Sequence, residues 1–429
     1  MRVAAVVWLA VIWLVMALAA SGAAQPAPPA PASPSPAAAP PSPAAAPQPG
    51  SPAGVDGMGR LRADRVRYLA REQVFVASGN VVLTLGDLEI RSDGLRLEQV
   101  PQVATAEGRV IARHRETQLT APTLRYEFRT EIADATGGVV LVQKATTIKA
   151  EQMRFILREE VAIARGAVEV IHGNGTVTAP SLRHDARTGD VVAEGGVTVV
   201  QPGSKLTGRR LLANLVTQRA DLREDVTLVR APGPPPGRAD RVATALGGEE
   251  TTITAARIVF RWDVNEAEAL ENVVVRQKDK TAWADRITYS EPANQLVLVG
   301  RVTLEQLSGE WLVREGLVSP PRDASERQGL ASVTRVTCSR LVMTLRERDM
   351  VADGPVRVTQ KDRWATGDRG TYTEATRRLV VTENVHMQEA DGRRLQADRV
   401  VISLVEETFE AEGNVQTQFI IRSSPTPRP

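Results

Sequence analysis

Aspartates recur at one phase of a repeated pattern, and their carboxylates are the groups in this chain best suited to acid–base chemistry. They are Asp64, Asp93, Asp285, Asp368 and Asp398. Glycoside hydrolysis needs two carboxylates about 5–10 Å apart, and Asp64 with Asp93, or Asp368 with Asp398, could come that close. The alternative is a structural aspartate at a strand bend, whose carboxylate bonds nearby backbone amides. Because the residue recurs in distant repeats, which one catalytic site would not require, the structural interpretation is favoured.

The other residues capable of chemistry do not form a site pattern. The sequence has no nucleotide-binding loop, HExxH, paired-cysteine metal motif or Gly-x-Ser-x-Gly elbow. His114 and His172 share a repeat phase but lie two repeats apart, too far to share a metal ion, so we expect these histidines, His184 and His386 to be solvated or to lie at edges. No catalytic residue, metal or cofactor is predicted, and the chain is not expected to be an enzyme.

A repeated element must position these residues, because valine recurs at a period of 29 residues. The pattern pauses for 18 residues after its sixth member and for 25 residues after its eighth. The repeat valines are Val81, Val110, Val139, Val168, Val197, Val226, Val273, Val302, Val356, Val385 and, one residue late, Val415. A fixed period of this size indicates units that bury their apolar faces only by stacking on their neighbours.

Each repeat predicts two strands separated by a short polar turn, because apolar residues alternate and no helical stripe is present. A small residue such as Ala63, Ala121 or Cys338 marks the first strand. A glycine two residues before most repeat valines, such as Gly79, predicts a bulge or sharp bend at one phase. The fold class is therefore all-β, with about eleven 29-residue two-strand repeats and roughly 22 strands.

The ends of the chain predict export. Residues 1–24 are typical of a secretory signal peptide, and the apolar run at residues 3–20 could alternatively be retained as a membrane anchor. Residues 25–56 form a Pro/Ala-rich linker, the repeat domain covers 57–421, and 422–429 form a disordered tail. Polar, proline-punctuated insertions near 229–250 and 308–335 are interpreted as loops. A formal net charge of +2, with dispersed charges, argues against nucleic-acid binding.

Apolar residues at alternate positions predict one inward face, whose aromatic members either fill a core or line a trough for acyl chains. The candidates for contact with lipid are Val66, Tyr68, Val81, Leu83, Leu124, Tyr126, Val139, Leu141, Met153, Phe155, Val197, Ile258, Phe260, Ile287 and Tyr289. In the repeat, the residues between these inward positions are unrestricted, as expected for an outward face.

The motif Ala63-Asp64-Arg65-Val66-Arg67-Tyr68 with Ala77-Ser78-Gly79-Asn80-Val81 returns as Ala397-Asp398-Arg399-Val400 with Ala411-Glu412-Gly413-Asn414-Val415. This pattern, over about residues 60–420, resembles the OstA-like family of lipopolysaccharide-transport proteins (LptA, LptC and the LptD N-terminal domain). The resemblance implies an elongated, solenoid-like β-jelly-roll of twisted antiparallel strands, V-shaped in section. It also implies an apolar interior that shields the acyl chains of lipopolysaccharide in the periplasm.

Lipopolysaccharide or a similar lipid is therefore the expected ligand, carried from the inner to the outer membrane. The resemblance implies that other lipopolysaccharide-transport components join through edge-strand pairing, and end-to-end self-association is a further expectation. Two alternatives remain open at this point: a structural or adhesive β-solenoid with a dry core, and a polysaccharide-active β-helix. The eleven repeats and two insertions exceed a usual single-module bridge, and an inner-membrane-anchored component fits a retained residue 3–20 segment.

Overall fold

The computed structural model describes residues 59–114, 116–232, 250–278, 280–307, 333–347, 349–360, 363–376, 378–388, 392–403 and 408–418. The predicted signal or anchor, the linker, the C-terminal tail and most of both insertions lie outside these residues. The described residues form two compact units, which divide between Ala164 and Arg165. No helix in the described ranges is long and apolar enough to cross a membrane.

The first unit is an antiparallel sheet in which neighbouring strands follow one another in sequence. Its strands are β1 Arg60–Arg62, β2 Arg65–Leu69, β3 Val74–Leu85, β4 Leu88–Glu98, β5 Val103–His114, β6 Thr117–Glu127, β7 Ile132–Gln143 and β8 Thr146–Ile156. Both β1 and β2 pair with β3, and from β3 to β8 each strand pairs with the next. The boundary between the units falls within β9, Val161–His172.

The second unit has the same order of consecutive antiparallel strands. Its strands are β10 Gly175–Asp185, β11 Asp190–Gln201, β12 Ser204–Asn214, β13 Arg219–Arg230, β14 Thr251–Arg261, β15 Glu266–Arg276, β16 Lys280–Ser290, β17 Gln295–Leu307, β18 Val333–Thr344, β19 Met350–Gln360, β20 Arg363–Thr373, β21 Arg378–Gln388, β22 Arg394–Ser403, β23 Thr408–Glu412 and β24 Gln416–Gln418. Strands β13 and β14 pair across the first insertion, and β17 and β18 across the second. The all-β prediction is confirmed.

A sharp bend interrupts each long odd-numbered strand just before its repeat valine. In β3 the register with β4 shifts between Ser78 and Val81, and the intervening Gly79 and Asn80 have φ values of +76° and +46°. Glycine adopts this left-handed conformation freely, whereas other residues pay about 1–2 kcal/mol. The predicted position of the bend is confirmed. It persists where glutamate replaces glycine, since Glu224, Glu271 and Glu383 have φ values of +65°, +64° and +64°.

From β4 to β8 and from β12 to β22, the small residue predicted in each even-numbered strand lies directly across from a repeat valine. Val139 pairs with Ala150, Val273 with Ala284 and Val302 with Cys338. Space is limited here, because a Cβ added to Gly208 would lie 2.7 Å from Cγ of Leu222. Small side chains at this position therefore allow the two halves of a bent strand pair to pack together.

The repeat valines form the most deeply buried row in each unit. Val110 and Val139 are 0% and 1% exposed, and Val385 in the second unit is 0% exposed. Each such side chain stabilises the fold by about 1.5–3 kcal/mol relative to an exposed one. Only Val415, between the short strands β23 and β24, is half-exposed among the repeat valines. The alternation of inward and outward positions predicted from the sequence is thus present.

Candidate functional site

The candidate site is the inward face of the bent strands, which has two arms. The first arm is the part of each strand pair between the bend and the start of the odd-numbered strand. In β3 and β4 it consists of Val74–Ser78 paired with Gly94–Glu98. The second arm runs the other way, as in Val81–Leu85 paired with Leu88–Ser92. The same two arms recur in the later strand pairs, so equivalent positions can be compared within each unit.

The predicted lipid-contacting residues fall into three groups by depth. Val66 and Tyr68, on the short β2, are about half-exposed. The half-buried group consists of the aromatic residues Tyr126, Phe155, Phe260 and Tyr289. The buried group consists of Val81, Leu83, Leu124, Val139, Leu141, Met153, Val197, Ile258 and Ile287. The aromatic side chains are therefore the candidates in the long strands that keep surface open to a ligand.

In each unit two aromatic residues lie at the outer end of the first arm, on either side of an alanine: Tyr126 and Phe155 flank Ala133 in the first unit, and Phe260 and Tyr289 flank Ala267 in the second. Tyr126 lies across from Ala104 on one side and Ala133 on the other, and Ala133 also pairs with Phe155. Large and small residues thus alternate across the strands and interdigitate. The Tyr126 ring meets Phe128 edge-on, with 4.9 Å between ring centroids. Burial raises the pKa of the Tyr126 hydroxyl, as expected for a phenol against apolar neighbours.

Burial decreases with distance from the bend in the last strands of the second unit. Val381, Val385, Ala397 and Val400, on either side of the bend, form a buried cluster. The next inward residues along both arms are only partly buried, and they are Leu379, Met387, Leu395 and Ile402. The arms therefore close on each other at the bend and leave apolar surface accessible towards their ends.

Strands β10 to β12 differ, because all their inward residues except the half-buried Ser204, at the start of β12, are buried. His184 and Val191 at one end are each 1% exposed, and Gln201 at the other end is 7% exposed. The interior of this part of the second unit is filled by its own side chains. It contrasts with the partly open inward face of β21 and β22.

The outer first-arm position of β10 holds His184, whereas the equivalent positions of the other strands from β4 to β16 hold aliphatic, phenylalanine or tyrosine side chains. Neither ring nitrogen has a hydrogen-bond partner, and both are inaccessible to solvent. Burial lowers the pKa of His184 to about 4, although Asp185 and Asp190 oppose the shift. Desolvation penalises the charged imidazolium, so this side chain is neutral at physiological pH.

The expectation of solvated or edge histidines was wrong for His172 and His184, which are both buried. The physical reason is strand phase. His172 lies four residues after Val168, and His184 lies two residues after the buried Leu182, so both side chains point to the inward face. The two-residue alternation counted from the repeat valine would have identified His172 in the sequence. His184 lies beyond the register shift of its strand, so its face depends on the position of that shift as well. His386, by contrast, lies on the outward face and is exposed.

The recurring aspartates lie across the bend from the left-handed residues. Asp64, Asp368 and Asp398 accept hydrogen bonds from the side-chain amides of Asn80, Asn384 and Asn414 at 2.6–2.9 Å. The expected bond from a backbone amide occurs at Asp93, where Arg109 N donates at 3.1 Å. These carboxylates are thus engaged in local contacts that fasten the bend.

Arginine replaces asparagine at two of these bends and alters the carboxylate. Hydrogen bonds from the Arg109 side chain lower the pKa of Asp93, and those from Arg301 lower the pKa of Asp285. A lowered pKa keeps the group ionised, which is opposite to what a general acid requires. The described residues contain no group of three His, Cys, Asp or Glu side chains placed to hold a metal ion.

Two bends have a proline at the position of the recurring aspartates, and this was not predicted from the sequence. Pro122 occupies the aspartate position opposite Gly137, and Pro180 does so opposite Gly195. In both cases the proline ring covers the glycine, and a second glycine follows, Gly138 or Gly196. The sequence did contain a signal for this: an aspartate and an asparagine sixteen residues apart, such as Asp64 and Asn80, are replaced together by a proline and a glycine at the same spacing, such as Pro122 and Gly138.

Comparison with known proteins identifies a family relationship. The family described as "LptA/(LptD N-terminal domain) LPS transport protein" matches residues 60–161 and 118–314, together 255 of the 429 residues. No curated protein matches the chain.

Two solved structures show the extent of three-dimensional similarity. One is LptH from Pseudomonas aeruginosa, the LptA homologous periplasmic component of the lipopolysaccharide transport device. It is 17% identical with a TM-score of 0.26, and the alignment covers 27% of this chain and 95% of LptH. The other is the WD40 domain of SCAP from fission yeast, 8% identical with a TM-score of 0.13, covering 73% and 87% of the two chains. The relationship therefore rests on the family match.

Proposed function

We propose a lipid-carrier function for this chain, which belongs to the LptA/(LptD N-terminal domain) LPS transport protein family. Membership places it in lipopolysaccharide transport. The proposed role is to bind lipopolysaccharide, or a related outer-membrane lipid, on the inward face of the bent strands in the periplasm. The chain would act there without catalysis, as one segment of a path from the inner to the outer membrane.

The half-buried apolar row on the first arm is the observation that carries this proposal. Phe260 lies between Ala220 and Ala267, and Tyr289 pairs with Ala267 and Leu296, so the rings have small or aliphatic neighbours. A ring with one face packed and one face open gains apolar contact when a hydrocarbon chain covers it. The same surface would otherwise remain in contact with water.

The edges of the sheet support the proposed partners. Among the described residues, β1 and β2 pair only with β3, and they expose Arg60, Arg62, Arg65 and Arg67. An unpaired edge offers its backbone groups to a strand from another chain. In the second unit, β23 pairs only with β22 among the described residues, which leaves a second unpaired edge. Two such edges favour end-to-end association of copies or pairing with related transport components.

A lipid-binding assay with matched variants tests the proposal. Tyr289→Lys places a charge on the inward face, and Thr288→Lys places the same charge on the outward face of the same strand. Loss of one buried aromatic contact costs about 1.5–3 kcal/mol. We therefore expect Tyr289→Lys to weaken binding of purified lipid A by about tenfold or more, and Thr288→Lys to leave it within about twofold.

The structural-scaffold alternative is favoured by the filled interior of β10 to β12, and the same assay separates it from the carrier. A scaffold predicts no saturable binding of lipid A by the native chain. Equal loss of affinity in the two lysine variants would also contradict binding on the inward face. Circular dichroism of both variants verifies that the β-structure is retained.

A further inference from the structure

Four neighbouring strands of the second unit, β13 to β16, have apolar inward residues at one end and polar inward residues at the other. The outer first-arm positions are Ala220, Phe260, Ala267 and Tyr289, which form an apolar row. The outer second-arm positions on the same inward face are Arg230, Thr251, Gln277 and Lys280, which we call the polar row.

Strand phase places the polar row on the same face as the buried valines. Arg230 lies four residues after Val226, and Gln277 four after Val273. Thr251 and Lys280 lie four residues before the small residues Ala255 and Ala284, which pair with those valines. An even separation keeps side chains on one side of a strand, so cations at these positions face inward and not into open solvent.

The polar row is continuous from strand to strand. Arg230 is the register partner of Thr251. The Gln277 side-chain amide donates to Thr251 Oγ1 at 2.9 Å, and the Gln277 backbone N–H donates to the Lys280 carbonyl at 2.8 Å. With adjacent strands about 4.8 Å apart, four strands give a row on the order of 14 Å long. That length matches a polar headgroup and exceeds a single small ion.

The burial of the row suits a ligand that approaches from inside the bend. Thr251 is 1% exposed, whereas Arg230, Gln277 and Lys280 are half-buried. Between this row and the bend lie Leu228, Ile253, Val275 and Ala282, which are also half-buried. An amphiphile lying along these strands would therefore pass from apolar to hydrogen-bonding surface as it reaches the second-arm end.

Arg230 and Lys280 bring a guanidinium and an ammonium group to this row, and both groups are donors that recognise phosphate. Arginine binds phosphate through two parallel N–H groups, lysine through a compact charge, and such charge-assisted bonds are about twice as strong as neutral ones.

We propose that the polar row binds the phosphorylated headgroup of the carried lipid, while Phe260 and Tyr289 contact its acyl chains. This inference rests on the proposed carrier function and gives the lipid one orientation across β13 to β16. Headgroup and chains then lie at opposite ends of the same four strands.

The test uses the full-length chain and compares bis-phosphorylated lipid A with dephosphorylated lipid A. The double variant Arg230→Gln, Lys280→Gln removes both charges, and Arg276→Gln removes an exposed charge on the outward face of β15. We expect the double variant to bind phosphorylated lipid A at least about tenfold more weakly and dephosphorylated lipid A within about twofold of the native chain. The control variant should bind both lipids like the native chain.

Other outcomes overturn the inference and remain distinguishable from failure of the carrier function. Equal affinity of the native chain for the two lipids, or equal losses in the double variant, contradicts a phosphate site but leaves lipid transport in place. Native binding of neither lipid contradicts the carrier function itself. Displacement of lipid A by inorganic phosphate at millimolar concentration would mean that the row is a site for the free anion.

Discussion

The bend at Gly137 and Gly138 offers a matched pair of substitutions that isolates one contact. Both glycines are left-handed, with φ values of +94° and +92°. A Cβ added to Gly137 would lie 2.9 Å from Cγ of Pro122, 3.1 Å from its Cβ and 3.3 Å from its Cδ. A Cβ added to Gly138 would meet nothing within 4 Å. The two alanine variants therefore share the backbone strain and differ in the steric contact.

The magnitudes follow from these distances. An alanine in the left-handed conformation costs about 1–2 kcal/mol. Replacing glycine also lowers the conformational entropy of the unfolded chain, which stabilises the protein by about 0.4–1 kcal/mol. Gly138→Ala should therefore reduce the free energy of unfolding by about 1 kcal/mol. Gly137→Ala adds overpacking against a ring that cannot rotate away, which costs a further ~1–3 kcal/mol. We expect a total of about 2–4 kcal/mol.

Urea unfolding followed by circular dichroism measures both free energies of unfolding. Pro122→Ala in the Gly137→Ala background should remove part of the difference, since it deletes the Cγ and Cδ contacts and keeps the Pro122 Cβ position 3.1 Å away. The pair Gly195 and Gly196 beneath Pro180 repeats the test, because Gly195 has the 2.9 Å approach and Gly196 has open space. Equal destabilisation by the two alanines of a pair, or no recovery with Pro122→Ala, would refute the contact as the cause.

Three further predictions concern single residues. The pKa of His184 is about 4 in the folded chain and about 6.5 in the unfolded chain. The free energy of unfolding should therefore decrease by about 3 kcal/mol as the pH is lowered from 6.5 to 4. His184→Phe should reduce this pH dependence, measured by urea unfolding at several pH values. Burial raises the pKa of Cys338 to about 11, so Ellman's reagent at pH 8 should react slowly until denaturant is added, and fast native reaction would contradict the burial. Glu271→Gly relieves a left-handed glutamate and should raise the free energy of unfolding by about 0.5–1 kcal/mol, whereas an unchanged or lower value would show no strain there.

The sequence was sufficient to predict the all-β class, the position of the bend and the inward row of valines. These features depend on local chemistry that repeats in phase. Gly79 and its counterparts indicate that the backbone is left-handed at that position. Val139 and its counterparts indicate a buried strand face. Repetition makes each weak local preference visible, because an independent copy lies 29 residues away.

The degree of burial along each arm could not be predicted, because it depends on how closely the opposite arm packs. Tyr126 and His184 occupy the same strand position, yet Tyr126 is half-buried and His184 is 1% exposed. Likewise, Glu383 gave no sign of a left-handed conformation, since the structure around it imposes that conformation against its own preference. The polar row was overlooked because its members, Arg230 to Lys280, share a position but not a residue type.

Photo-crosslinking to lipopolysaccharide in intact cells tests the central claim most directly, namely that lipid contacts the inward face. A benzophenone amino acid replaces Tyr126, Phe155 or Tyr289, which are half-buried on the inward face, and the outward, exposed Arg125 serves as the control. The carrier function predicts lipopolysaccharide adducts at the inward positions and none at residue 125. Absence of adducts at all three inward positions, with the protein folded and exported, would contradict it.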